Sequence, residues 1–164
     1  MEEGASGPRA GNSEPFLRTP ANEVHPTFSP DGHWIAYGSN ESGIFQVYVV
    51  SYPDKSRKVQ VSSDGGDFTV WSHVRHELFF RGGDNRIMVA AYEVKDGLFL
   101  PHKARVWSEV RLAELLNASR NFSMSADGTR AAVLMPAEAA QPAPGNHVVF
   151  VLNFFDDLCR RMHD

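Results

Sequence analysis

The chain has 164 residues, 42% of them hydrophobic, a formal charge of −4 at pH 7 and a single cysteine, Cys159. That suffices for one domain with a buried core, and it excludes an internal disulfide or a cysteine-built metal site. It also leaves no basic footprint for nucleic acid or anionic lipid, since the densest basic pair, Arg160-Arg161, lies beside Asp156, Asp157 and Asp164. The longest apolar run, Val148 to Leu152, is too short to cross a bilayer, so no membrane insertion is expected.

Residues 1–13 are rich in Gly, Ser and Glu and read as a disordered leader. They lack the basic start and apolar stretch of a signal peptide, which points to the cytoplasm. A periplasmic or extracellular setting is expected instead if the chain is cut from a longer one. Residues 14–20, "EPFLRTP", are strand-like but belong to no repeating unit of their own. From 21 to 64 the period is two: Trp34, Ala36 and Gly38 alternate with His33, Ile35 and Tyr37, so both faces of the strand are apolar. Pro30-Asp31-Gly32 supplies a turn, "SNESG" a second and "DKSR" a third. The strands between them are "IFQVYVVSY" and "KVQVSS", and the whole is a four-stranded antiparallel meander.

The pattern then recurs. "WSHVRHELFF" lies under "FSPDGHWIAY" 43 positions further on, followed by strands Arg86 to Val94 and Lys103 to Ser108, giving a second unit over 65–108. Here His73-Val74-Arg75-His76 replaces the Pro-Asp-Gly turn. Residues 109–118 carry Leu112, Leu115 and Leu116 at helical spacing with Ser108 as a possible cap, a helical insertion. A third, incomplete unit spans 119–155, opened by "MSADGTRAAVLM" and ending in the strand His147 to Phe155. The tail 156–164 has Asp at its start and Arg near its end, suiting a short amphipathic helix near 156–162.

The segments "FSPDGHWIAYGSNESG" and "SADGTR" resemble TolB-type β-propeller repeats, and the order of motifs from Glu14 to Met162 is similar to the C-terminal blades of large bacterial propellers. The resemblance implies an all-β fold of three four-stranded antiparallel blades, half a propeller, with short helices near 109–117 and 156–162. It implies a sensing or scaffolding role and no particular chemistry. Three blades do not close a ring. A homodimer forming a six-bladed ring would close it, the strand Pro15 to Thr19 of one chain completing the third blade of the other. Terminal blades of a longer propeller, or an open stack, remain the alternatives.

No catalytic set is visible. The G-x-S-x-G spacing of a nucleophile elbow is absent, the seven histidines are scattered, and only His73 and His76 are close. Asp31 and Asp127 lack the rest of a calcium loop, and "RGGDN" lacks a phosphate-loop context. The three N-x-S sequons have no secretory signal to accompany them. The expected protein is therefore non-enzymatic, without metal or cofactor. In a propeller the connections entering each innermost strand line the central channel. Here they place Asn22, Glu23, His25, Asp67, Arg120 and Asn121 on a polar rim, expected to bind a protein, peptide or small ligand.

Overall fold

Short polar turns determine where the strands begin. In the first, the Ser29 hydroxyl donates to the Asp31 carboxylate (2.5 Å) and accepts from the Trp34 amide (3.0 Å), while the His33 amide donates to Asp31 (3.1 Å). Gly32 takes φ +72°, a region that penalises a Cβ. Ser125, Asp127, Thr129 and Arg130 repeat every one of these bonds, with Gly128 at φ +69°. Ser51 and Asp54 use the same device one residue longer: Ser51 Oγ donates to Asp54 (2.5 Å) and accepts from the Arg57 amide (3.1 Å). The middle unit has no aspartate in its turn, and Ser72 Oγ instead accepts from the Arg75 amide at 3.1 Å.

The computed structural model describes residues 14–113 and 120–135. The first sheet has the order β1 (Glu23–Phe28), β2 (Trp34–Ser39), β3 (Gln46–Ser51), β4 (Lys58–Gln60). The second contains β5 (Gly66–Trp71), β6 (Glu77–Gly82), β7 (Arg86–Lys95), β8 (Leu98–Pro101) and β9 (Arg105–Arg111). The third is β10 (Phe122–Met124) with β11 (Ala131–Val133). All pairings are antiparallel. No helix among the described residues is long and apolar enough to cross a membrane.

Register proves the repeat. Val24 pairs with Gly38 and Thr27 with Ala36, skipping two residues in a bulge. Forty-three positions on, Asp67 pairs with Arg81 and Val70 with Phe79 across the same bulge. His25 (φ 53°) and Phe68 (φ 51°) occupy the corresponding bulge position, where the chain turns left-handed. In the third sheet Met124 pairs with Ala131 as Phe28 pairs with Ile35.

Both faces of the central sheet are apolar, and each is covered by a neighbour. Trp34, Ala36, Val47 and Val49 of the first sheet's front pack on Leu78, Phe80, Ala90 and Tyr92 of the second sheet's back. Phe79, Ile87 and Val89 of the second sheet's front pack on Phe122, Met124, Ala131 and Val133 of the third. The adjacent phenylalanines Phe79 and Phe80 thus fill different seams, as strand alternation requires. On the first sheet's back, Ile35, Tyr37, Tyr48 and Val50 meet Phe16 and Leu17. Residues 14–20 form no ladder; Phe16 and Leu17 lie flat against that face.

Two expectations need correction. Among the described residues the sheets contain four, five and two strands, so the second has one more than the four expected, while the expected third strand of the last unit lies outside those residues; no closed ring forms among them, as three units imply. In the second sheet, β7 outruns β6. Its end turns back through Asp96-Gly97, both at positive φ, into β8, and after a break the same edge continues as β9. Phe99 of β8 then joins Trp34, Trp71 and Tyr92, with ring centroids 5.3, 5.9 and 4.7 Å away. The helix expected near 109–117 does not start there: residues 109–111 end β9, because Arg86 pairs with Arg111 in the ladder and its guanidinium holds Glu109 at 2.5 Å. Ser108 does accept an amide, from Val110 at 3.2 Å, but within a bulge. The remainder of that segment, the strand His147 to Phe155 and the helix near 156–162 lie outside the described residues.

The turn carboxylates couple the fold to pH. Hydrogen bonds from Ser51 and Ser56 hold Asp54 down at about 2, and those from Ser125 and Thr129 hold Asp127 lower still. A depressed native pKa stabilises the fold above the unfolded value of about 4 and is lost as pH falls through the native one. Urea unfolding between pH 5 and pH 2 should therefore show stability falling with acid, and Asp54→Asn with Asp127→Asn should flatten that slope.

Candidate functional site

The first strands β1, β5 and β10 form one edge of the stack, and their contacts show how it is zipped. Thr27 and Thr69 share a hydroxyl hydrogen bond of 2.8 Å, and the Trp71 indole N–H donates to the Thr27 carbonyl at 3.1 Å. At the bulge the His25 ring stacks on Phe68 with centroids 3.8 Å apart. The Arg81 guanidinium lies 4.5 Å from the same Phe68 ring and clamps Asp67 with two bonds, 2.9 and 2.7 Å. The repeat puts Val24 and Gly38 where the second sheet has Asp67 and Arg81. Gly38 leaves little room there: an added Cβ would stand 3.1 Å from the Val24 side chain and 3.4 Å from the Asp67 Cβ across the seam.

Of the six rim residues, His25 and Asp67 meet around Phe68 and Arg81. The Asn22 backbone N–H donates to Asn40 Oδ1 at 2.9 Å. Glu23 accepts from the Thr19 hydroxyl. Arg120 is exposed, whereas Asn121 is only 1% exposed and donates to the Ala113 carbonyl at 2.8 Å. Its Oδ1 has no partner among the described residues. Three different cavities receive these groups. Asp67 lines one of about 410 Å³ with Arg81 and a cluster of glycines, and Arg120 and Asn121 line another of about 330 Å³. Glu23 lines a third, of about 350 Å³, on the first sheet's back. Among the described residues no three His, Cys, Asp or Glu side chains converge as metal ligands would.

Sequence reasoning missed that third cavity, whose walls include Phe16, Phe28, Tyr37 and Tyr52. Phe28 and Tyr52 meet edge to face at 5.0 Å, and Phe16 and Tyr52 at 5.5 Å. Burial, then the charges of Glu41 and Glu23, push the Tyr37 hydroxyl up to about 12, so it stays a neutral donor. The available signal was the exposure of Phe28 and Tyr52 beside polar turns, which periodicity alone assigns to no face. Arg81 was missed as well; its signal was an opposite-charge pair standing where the first unit has Val and Gly.

No family model matches the sequence, and no curated protein matches it. Among solved structures the chain is similar to a protein assigned as TolB from Agrobacterium tumefaciens. The two are 20% identical over 56% of this chain and 36% of that one, with a TM-score of 0.41. The match leaves most of that protein's length unaligned.

Asp67 and Arg81 are both mostly buried, their side chains 15% and 17% exposed. Arg81→Met should strand the carboxylate in the seam and cost about 1–3 kcal/mol in urea unfolding. Adding Asp67→Val, the residue type of the first sheet at that register, should restore most of the loss. A simply additive pair would contradict the coupling.

Proposed function

We propose that this chain is a non-enzymatic binding module of β-propeller type. A second copy completes a six-bladed ring, and the edge built from β1, β5 and β10 takes a protein, peptide or small ligand. The supporting observation is the sense of the stack. Both seams among the described residues join the front of one sheet to the back of the next. Leu78 and Phe80, which correspond by register to Ile35 and Tyr37, are covered by a preceding sheet. The first sheet's back is the same surface one step earlier, and a sheet front is what fits it. Phe16 and Leu17 sit at that end of the stack, where residues 15–19 would cross to the partner.

In the ring, the bulge residues His25 and Phe68 and their counterpart Asn121 recur around the axis in each copy. Nothing in this constellation pairs a nucleophile with a base, and Asp67 is committed to Arg81. The same two ends of the stack also suit a second reading, in which further blades of a longer polypeptide flank these and the segment has no independent activity. Sedimentation equilibrium at micromolar concentration separates the two: the ring requires twice the chain mass, and a well-folded monomer would rule it out.

A further inference from the structure

Phe16 and Leu17 lie on the first sheet's back, the surface that a second copy must reach to close the ring. Residues 14–20 pair with no strand among the described residues, so side chains hold them there. The Phe16 ring tilts against Tyr52 with centroids 5.5 Å apart, and the Lys55 Nζ lies 5.0 Å over the same ring. The return to β1 is tied down as well. The Thr19 hydroxyl donates to the Glu23 carboxylate and accepts from the Ala21 amide at 3.1 Å, and the Asn22 amide is fixed by Asn40 Oδ1. At the next seam a whole sheet front covers the equivalent surface, and Leu78 and Phe80 are 0% and 1% exposed beneath it. Two side chains make a poorer cover. A space of about 350 Å³ remains between them and Ile35, Tyr37 and Phe28, and Phe28 and Tyr52 stay 56% and 41% exposed. A cover that shields a face without filling it yields to a front that packs at full density.

We propose, resting on the ring reading above, that residues 14–20 are an intramolecular cap that competes with the second copy for this face. Each ring then closes only after both chains have released their caps. In the free chain the segment lies on its own first sheet, held by Tyr52 and Lys55. In the ring it crosses to the partner, and a sheet front takes its place, an exchange of the domain-swapping kind. Apparent affinity falls with the fraction of chains that are open, and a ring consumes two. The strength of the cap therefore enters the dimer dissociation constant squared. Lys55 is the natural point of adjustment, since its contact is with the cap and is lost when Phe16 leaves.

The experiment measures dimer dissociation constants of the full chain by sedimentation equilibrium, for the parent, Lys55→Gln, Lys55→Arg and Arg57→Gln. The NOE between the Phe16 and Tyr52 rings is followed across the same dilution series. Losing the ammonium should weaken cap closure about threefold, so Lys55→Gln should tighten the dimer about tenfold, both caps counting. Lys55→Arg keeps a cation over the ring and should match the parent. Arg57→Gln, which removes another charge from the same turn, should match it too. The Phe16–Tyr52 cross-peak should be present in the monomer and absent from the dimer. A dimer that keeps the cross-peak would overturn the cap and leave the ring standing. So would a dissociation constant unchanged or raised in Lys55→Gln, or a Lys55→Arg or Arg57→Gln chain as tight as Lys55→Gln. Chains that stay monomeric in the parent and in every variant would instead overturn the ring reading, and the competition with it.

Discussion

A β-sheet that is apolar on both faces cannot stand in water, and this one constraint organises the molecule. In β2 and β3 every position is buried, and so are the adjacent Leu78, Phe79 and Phe80 of β6 and Val89 and Ala90 of β7, whichever way they point. Burial at about 25 cal/mol per Å² makes the covering of each face the dominant favourable contribution. Each sheet must therefore lie between two others or be capped. Front-to-back packing follows because the units are copies: if one front fits one back, the same fit serves at the next seam. The seams differ in detail, one closed by Trp34, Trp71 and Phe99 and the other by Phe79, Trp107 and Phe122.

Stacking has a geometric corollary for function. Equivalent residues of successive sheets are brought onto a common edge, so one position in the repeat generates a row of side chains. In the first two copies a bulge converts that row from strand to turn-like backbone and hosts an imidazole and a phenyl ring, while the third copy has a carboxamide at the corresponding position. Between sheets, hydroxyl and indole hydrogen bonds hold the edge in place. Close backbone approach does the same beside Asp67 and Arg81, where a Cβ on Gly83 would stand 2.5 Å from the Asp64 carbonyl.

Much of this was legible in the sequence because the relevant signals are local. Ser-x-Asp-Gly at Ser29 and Ser125 closes identical turns, and period-two alternation located β1 to β4 within a few residues. Where two local signals competed, tertiary pairing decided. Leu112, Leu115 and Leu116 have helical spacing, yet Glu109 to Arg111 extend a ladder opposite Arg86. The Asp96-Gly97 hairpin was a readable turn overlooked inside an apolar run, and with it the break of the outer strand into β8 and β9. The candidate rim was legible only as a row of connections. That His25 stacks on Phe68 and that Phe16 folds back onto Tyr52 are contacts between distant segments. Neither spacing nor composition encodes them.

The sense of the stack is the central claim, and aromatic NOEs test it most directly. Front-to-back packing predicts cross-peaks from Trp34 to Phe99 and Tyr92, and from Phe79 to Phe122 and Trp107, with none joining Trp34 to Phe79. Cross-peaks from Tyr48 or Val50 to Phe80 would mean that the first sheet meets the second with its other face, and would contradict the account.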